Sequence, residues 1–295
     1  RYFLSSLHLP VIEPRDHQDL YMSPFHAADI SRQFSTPVVI VCSSVLCHSE
    51  GIITPLSKRT ITPSLLKKSK SKVLLPKDAR LHFNNTVIKK LPEIQKYNNL
   101  ISTVDETANW GIISCGETSI ITKEVIKLNN LKPDQLYIGM THPLPLTLIK
   151  QWVTTINGPI FLIEDGERFV ETQLLKEGIP VIGKNNFETI THWTPNLLSD
   201  FLIHHNYMKR SLTDSFFTDL QCLNRVPAIC PGCPYRAVSL AIQRLKKVNK
   251  LDLVFGDIGC STLLYFQNSL DINLCMGASE SMRQGYVRSK PQDAH

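Results

Sequence analysis

The sequence predicts an α/β protein built on doubly wound parallel sheets. Three observations carry that expectation. From residue 98 onward, short apolar runs alternate with helix-period segments of about ten residues, the pattern of successive βαβ units. The runs are continuous rather than alternating, as in strands buried on both faces. Crossovers between parallel strands are right-handed almost without exception, which distributes helices over both faces of a sheet. The chain has 295 residues, enough for two or three domains and a sizeable core. Its 42% apolar and 20% charged residues exclude a disordered, collagenous or coiled-coil chain.

Residues 1–57 read as a first unit. A helix is expected over 16–34, with Asp16 as N-cap and with Pro24 kinking or breaking it. Residues 37–42 carry four β-branched side chains in a row and read as a buried strand. Cys47-His48-Ser49-Glu50-Gly51 is a turn-rich end to that unit. Residues 58–97 read as a basic linker with some local helix. Positions 58–96 hold eleven Lys or Arg against Asp78 and Glu93, a local charge of +9, so the rest of a chain of net +6 carries −3. Only His82, Phe83 and Tyr97 come near as aromatic partners, so the segment reads as a solvated connector and not as a nucleic-acid surface.

Residues 98–189 form the middle α/β domain. Strands are expected at 110–114, 135–140, 159–164 and 179–182, and helices at 119–128, 145–155 and 167–177. His142 precedes Pro143 in a loop. Glu164-Asp165-Gly166 closes a strand, a place where ligands bind in open α/β sheets, and is read as ordinary loop chemistry. Residues 190–220 read as a second connector. The adjacent His204 and His205 point in different directions on a helix and do not suggest a metal site.

The chemistry concentrates in residues 221–295. Cys230-Pro-Gly-Cys233-Pro leads into a helix whose Val238, Ala241, Ile242, Leu245 and Val248 share one face. Strands are expected at 251–255 and 272–274. Each is followed by a Gly-containing turn: Gly256-Asp257-Ile258-Gly259-Cys260-Ser261 and Cys275-Met276-Gly277-Ala278-Ser279. Carboxyl ends of parallel strands are the usual cofactor position, and helix N-termini there suit a diphosphate. No leader sequence or membrane-length apolar run is evident, so the eight cysteines read as intracellular thiols, metal ligands or site residues. Taken alone, Cys230-x-x-Cys233 admits half a zinc site completed by Cys260 and Cys275, a thioredoxin-like dithiol with Cys233 at a helix start, or inert thiols at a tight turn. A compact iron–sulfur run of four cysteines does not occur.

Together, the three motifs resemble the thiamine-diphosphate domain of the indolepyruvate ferredoxin oxidoreductase alpha-subunit family. The resemblance extends upstream. Arg1-Tyr2, Leu9-Pro10-Val-Ile-Glu-Pro14, Pro37-Val-Val and His48-Ser49 are similar to the end of the family's pyrimidine-binding domain. Leu100-Ile-Ser-Thr103, Trp110-Gly-Ile-Ile113, Gly139-Met-Thr-His-Pro-Leu-Pro145, the stretch around Glu164-Asp-Gly166 and Gly178-Ile-Pro-Val181 are similar to its middle domain. The fold it implies is of the thiamine-diphosphate-binding and transketolase C-terminal-like type. The activity it implies is oxidative decarboxylation of an aryl 2-oxo acid to the acyl-CoA, with electrons passed through [4Fe-4S] clusters to ferredoxin. Its partners would be a beta subunit, ferredoxin, the 2-oxo acid and coenzyme A, in an oxygen-poor cytoplasm, with no nucleic acid or membrane.

By the same resemblance, Cys230, Gly232, Cys233, Asp257, Ile258, Gly259, Cys260, Ser261, Cys275, Met276, Gly277, Ala278 and Ser279 would line the cofactor, in positioning roles. Tyr235 stands where the family has His, Ser261 where an aromatic is usual, and Val41, Val45 and Glu50 where basic residues are frequent. The resemblance puts the activating glutamate upstream of residue 1. It puts the Gly-Asp magnesium motif and the cluster segment beyond residue 295, so no metal ligand is expected in this chain. The chain therefore reads as the central part of a longer enzyme, inactive alone. A degenerate scaffold, or an enzyme for another 2-oxo acid such as pyruvate, stays open as an alternative.

Overall fold

The computed structural model describes residues 1–56, 75–97, 99–104, 109–184, 192–209 and 227–289. It divides into two compact units, Arg1–Phe217 and Thr218–His295.

The first unit opens with α1 (Tyr2–Ser6), β1 (Val11–Ile12), α2 (His17–Phe34), β2 (Val39–Ile40) and α3 (Ser44–His48). Next come α4 (Pro76–Asn85), a π turn over Thr86–Lys90, and α5 (Leu91–Ile94). The middle segment supplies β3 (Ile101–Val104), β4 (Gly111–Cys115), α6 (Thr118–Leu128), β5 (Asp134–Ile138), β6 (Met140–His142), α7 (Leu146–Val153), β7 (Ile160–Ile163), α8 (Phe169–Lys176) and α9 (Pro195–His204). A four-stranded sheet runs β3-β5-β4-β7 and a three-stranded sheet runs β2-β1-β6. Strand β4 is parallel to both its neighbours, with Ile113 opposite Leu136 and Leu162.

Strand alternation explains why this sheet is doubly wound. In β4, Ile113 and Cys115 belong to a core with Ile149 and Trp152 of α7 and Phe169, Val170 and Leu174 of α8. Ile112, the residue before Ile113, joins Val125 and Ile126 of α6 and Leu198, Phe201 and Leu202 of α9 on the other face. Strand β7 repeats the division: Ile160 and Leu162 point one way, Phe161 and Ile163 the other. Phe161 is fully buried and meets Trp110 and Phe201 edge to face.

Several local expectations change. The sheets are mixed, because β3 runs antiparallel to β5 and β6 antiparallel to β1. Helix α2 continues through Pro24; its start is held by Asp16, which accepts the Asp19 N–H at 2.8 Å, and Ile30 anchors it to a core with Ile12 and Met140. The strand expected at 37–42 shortens to two half-buried residues. That at 179–182 reduces to a bridge between Phe161 and Ile182. Residues 195–204, read as connector, form a helix whose Leu198, Phe201 and Leu202 are fully buried.

The second unit contains α10 (Tyr235–Lys247), β8 (Phe255–Gly256), a 3-10 segment over Cys260–Gln267, β9 (Ile272–Asn273) and α11 (Ala278–Ser289). Strands β8 and β9 pair in parallel, and a small core gathers Ile229, Leu264 and Leu270. The helical period of α10 is as expected, but of the apolar stripe only Ile242 is even half-buried. Val238, Leu245 and Val248 are exposed, while Ser239 is buried with its hydroxyl 2.8 Å from that of Ser269. Gln243 donates to the Gln267 carbonyl at 2.7 Å. A small polar residue permits close approach here, and hydrogen bonds satisfy the buried hydroxyls.

Candidate functional site

The turns after β8 and β9 lie side by side because their strands pair, Phe255 opposite Ile272 and Gly256 opposite Asn273. Asp257 leaves β8 and turns toward the start of α11, where its carboxylate accepts the Ser279 N–H at 2.8 Å. Ser279, through its N–H and hydroxyl, and then the Gly277 and Ala278 N–H groups hold the Asp257 carboxyl below its usual range. An anion at a helix start is stabilised by unpaired N–H groups and by the helix dipole. The Asp257 carbonyl accepts the Ser261 hydroxyl at 2.7 Å. Thr262 accepts from the Gly259 N–H at 3.3 Å and from Asn273 at 3.0 Å, so one hydroxyl ties the first turn to the end of β9.

The structure thus brings Asp257, Gly259, Ser261, Gly277, Ala278 and Ser279 into one hydrogen-bonded neighbourhood. Gly259 and Gly277 have φ of +148° and +80°, with nothing within 4 Å of where a side chain would begin. Their need for glycine is conformational, and the space beside them is open. Cys260 and Cys275 are exposed, as are Ile258 and Met276, the last at 81%. The Cys230–Cys233 turn closes by a bond from the Cys233 N–H to the Cys230 carbonyl at 3.2 Å. Gly232 in its centre has φ +78°, and Arg236 clamps the turn by donating to the Cys230 and Ile229 carbonyls. Cys233 packs on the Leu264 and Leu270 core beside Leu263, whereas Cys230 is exposed. Among the described residues, no group of three or more His, Cys, Asp or Glu side chains is arranged to hold a metal ion, so the four cysteines do not form a zinc site.

The first unit contains a cavity of about 310 Å³ that the sequence reading passed over. Its floor is the carboxyl ends of β4 and β7, adjacent parallel strands whose following helices, α6 and α8, cover opposite faces. That divergence opens a crevice, the usual ligand position in an open α/β sheet. Cys115, Gly116 and Glu117 line one side, Asp165, Gly166 and Glu167 another, with Arg1, Ser43 and His192 around them. Arg1 bonds Glu13 at 2.6 Å and Glu164 at 2.9 Å, which raises its already high pKa despite burial. Glu164 also accepts the Val170 and Glu171 N–H groups at 2.9 Å each, fixing the start of α8. Burial raises the Glu164 carboxyl, and these bonds and Arg1 pull it part of the way back. Burial, and then the neighbouring Asp165, raise the Glu117 carboxyl, while Ser43 opposes the shift. Burial and then Glu164 push the Cys115 thiol well up. The signal in the sequence was Glu164-Asp165-Gly166 at a strand end; the partners Arg1, Glu13 and Glu117 are too remote along the chain to read from it.

No family model matches the chain. It is 28% identical to the indolepyruvate oxidoreductase subunit IorA of Archaeoglobus fulgidus over 97% of its own length and 48% of that protein's. It is 23% identical to the subunit IorA of Methanothermobacter marburgensis and 22% identical to that of Methanothermobacter thermautotrophicus, over 99% of this chain and 50% of each relative. The resemblance read from the motifs holds along nearly the whole chain. The chain spans about half the length of the curated relatives it matches. Among solved structures, a 2-oxoglutarate:ferredoxin oxidoreductase from Magnetococcus marinus aligns with 66% of this chain and 42% of its own, at 14% identity and a TM-score of 0.47.

Proposed function

We propose that this chain is the central part of an indolepyruvate-type 2-oxo acid:ferredoxin oxidoreductase. The reaction is oxidative decarboxylation of an aryl 2-oxo acid to its acyl-CoA, with electrons delivered to ferredoxin. The single observation that carries this reading is similarity to curated IorA subunits over 97–99% of the chain, a span that contains all three cysteine–glycine turns. A second subunit, [4Fe-4S] clusters and an oxygen-poor cytoplasm belong to the same proposal.

The residues present fit thiamine diphosphate in a positioning role. Gly232, Gly259 and Gly277 turn with positive φ beside open space, which allows a ligand to approach the backbone. When bound, the cofactor supplies the electron sink for cleaving the bond next to the keto carbon. Asp257 holds the first turn of α11 in place. Ile258 and Met276 offer apolar support, and the exposed Cys230, Cys260 and Cys275 offer soft contact surface. Magnesium ligation and the activating glutamate are assigned to parts of the enzyme outside this chain. On this proposal the isolated chain neither turns over nor binds the cofactor tightly.

Calorimetric titration of thiamine diphosphate with Mg2+ into the complete enzyme tests the assignment. Gly277→Val and Asp257→Ala are expected to weaken binding by about tenfold or more, about 1.4 kcal/mol per factor of ten, with the tryptophan-monitored unfolding of the first unit unchanged. Binding unaltered in both variants would refute the placement. Absence of cofactor binding in the parent enzyme would instead favour the degenerate scaffold, for which Val41, Val45, Glu50, Tyr235 and Ser261 already depart from the family pattern.

A further inference from the structure

The first unit's cavity, about 310 Å³ at the carboxyl ends of β4 and β7, has walls whose charges do not balance. Four carboxylates line it, those of Glu13, Glu117, Asp165 and Glu167, against the one guanidinium of Arg1. That guanidinium is fully engaged. Its Nε and Nη2 donate to the two oxygens of Glu13 at 2.7 and 2.6 Å, and its Nη1 donates to Glu164 at 2.9 Å and to the Asp165 carbonyl at 2.7 Å. The nearby basic side chains are held elsewhere: Lys184 donates to the Gly166 carbonyl at 2.6 Å, and Arg168 pairs with Glu171 at 2.9 Å. Among the described residues, Glu117, Asp165 and Glu167 form no ion pair. Glu117 Oε2 is also buried without a hydrogen-bond partner among them. Buried polar atoms of folded proteins normally have a partner, and an orphan in a cavity wall marks a place for a ligand's donor.

We propose that this cavity binds a small aliphatic amine, its ammonium groups held by Glu117 on the β4 side and by Asp165 and Glu167 on the β7 side. The volume is that of a small-molecule pocket. Pro14, Val41 and Cys115 give the wall an apolar part that suits a methylene chain. Carboxylates on both sides favour a diamine over a monoamine. Each ammonium brings three N–H donors and no acceptor, which matches carboxylates that lack a cation. Burial raises the Glu117 carboxyl, so an ammonium placed there recovers part of that cost. A metal ion fits less well. Among the described residues no group of three or more His, Cys, Asp or Glu side chains is arranged to hold one, and a hard divalent cation takes about six oxygen ligands.

The test is calorimetric titration of putrescine, the four-carbon diamine, into the full-length protein that contains this chain, at low ionic strength. The matching diol is the uncharged control. The titration is run at about pH 8, where histidine is ordinarily uncharged, because His192 also lines the cavity. Putrescine should bind with one equivalent per chain, and the diol should give no binding heat. Glu117→Gln keeps the shape, removes the charge and should weaken putrescine by about tenfold or more. Glu167→Gln, at an exposed position where folding is not at stake, should weaken it several-fold. Val41→Lys tethers an ammonium to the same wall and should abolish the titration. Tryptophan-monitored urea unfolding, which reads the first unit, checks that each variant is folded. No binding of putrescine by the parent protein, equal binding of the diol, or a putrescine affinity within about twofold of the parent's in all three variants would overturn the proposal.

Discussion

Replacing Glu164 by alanine should destabilise the first unit by about 3 kcal/mol. The carboxylate is 1% exposed and accepts three donors: the Val170 and Glu171 N–H groups and Arg1 Nη1, all at 2.9 Å. Alanine leaves two buried N–H groups without an acceptor, at about 1–3 kcal/mol each, and breaks a buried ion pair. Two effects reduce the sum. Arg1 keeps Glu13 and the Asp165 carbonyl, and the burial that raises the Glu164 pKa is itself a cost that alanine removes. The assay is urea unfolding at neutral pH, followed by tryptophan fluorescence. All three tryptophans, Trp110, Trp152 and Trp193, lie in the first unit, so the signal reads that unit alone. The Trp193 indole donates to the Glu164 carbonyl at 3.0 Å, which makes it a local probe as well. With a urea slope of about 3 kcal/mol per molar, the midpoint should fall by about 1 M. Glu164→Gln keeps one carbonyl acceptor and should lose about half as much. A midpoint within about 0.3 M of the parent for Glu164→Ala would refute the reasoning, because burial cost and bonding would then cancel.

Two further outcomes follow from the same unit. Among the described residues, neither buried ring nitrogen of His142 has a hydrogen-bond partner, and burial, then His8, lower its pKa to about 4. The unfolded chain takes up that proton first, near pH 6.5, so stability from the neutral ring is complete above pH 6.5. It is lost as pH falls toward 4, by about 2 kcal/mol after allowing for partial solvent access; His142→Gln should flatten that slope in urea midpoints measured across the range. Phe161→Ala should cost about 3–5 kcal/mol by the same fluorescence titration, since the ring fills one side of the sheet and alanine leaves a cavity.

How far the sequence was readable depended on whether the determining contacts were local. The β4–α6 and β7–α8 succession was legible because each strand is a continuous apolar run and each helix carries its own period. Asp16 as N-cap was legible because capping spans three residues. The antiparallel edge strand β3 was not, because pairing direction is set by a remote partner, as when Ile101 meets Ile138. Helix α9 was lost inside a presumed connector, since its value lies in Leu198 and Phe201 meeting Phe161 and not in its own pattern. The apolar stripe of α10 was legible, but most of it is exposed: hydrophobic periodicity locates a stripe and does not say which side a neighbour occupies. For the candidate site, the glycine turns and Asp257 could be placed at strand ends from sequence. The bond from Asn273 to the Thr262 hydroxyl, and the Arg1–Glu164 pair beside the cavity, depend on tertiary contacts.

The most direct test of the account is viologen reduction, without oxygen, by the full-length protein containing this chain together with the second subunit that the proposal calls for. Indolepyruvate with coenzyme A should drive reduction that depends on added thiamine diphosphate and exceeds the rate with pyruvate. No reduction with any 2-oxo acid, in enzyme carrying its clusters, would contradict the oxidoreductase assignment; reduction with pyruvate alone would contradict the aryl-substrate assignment.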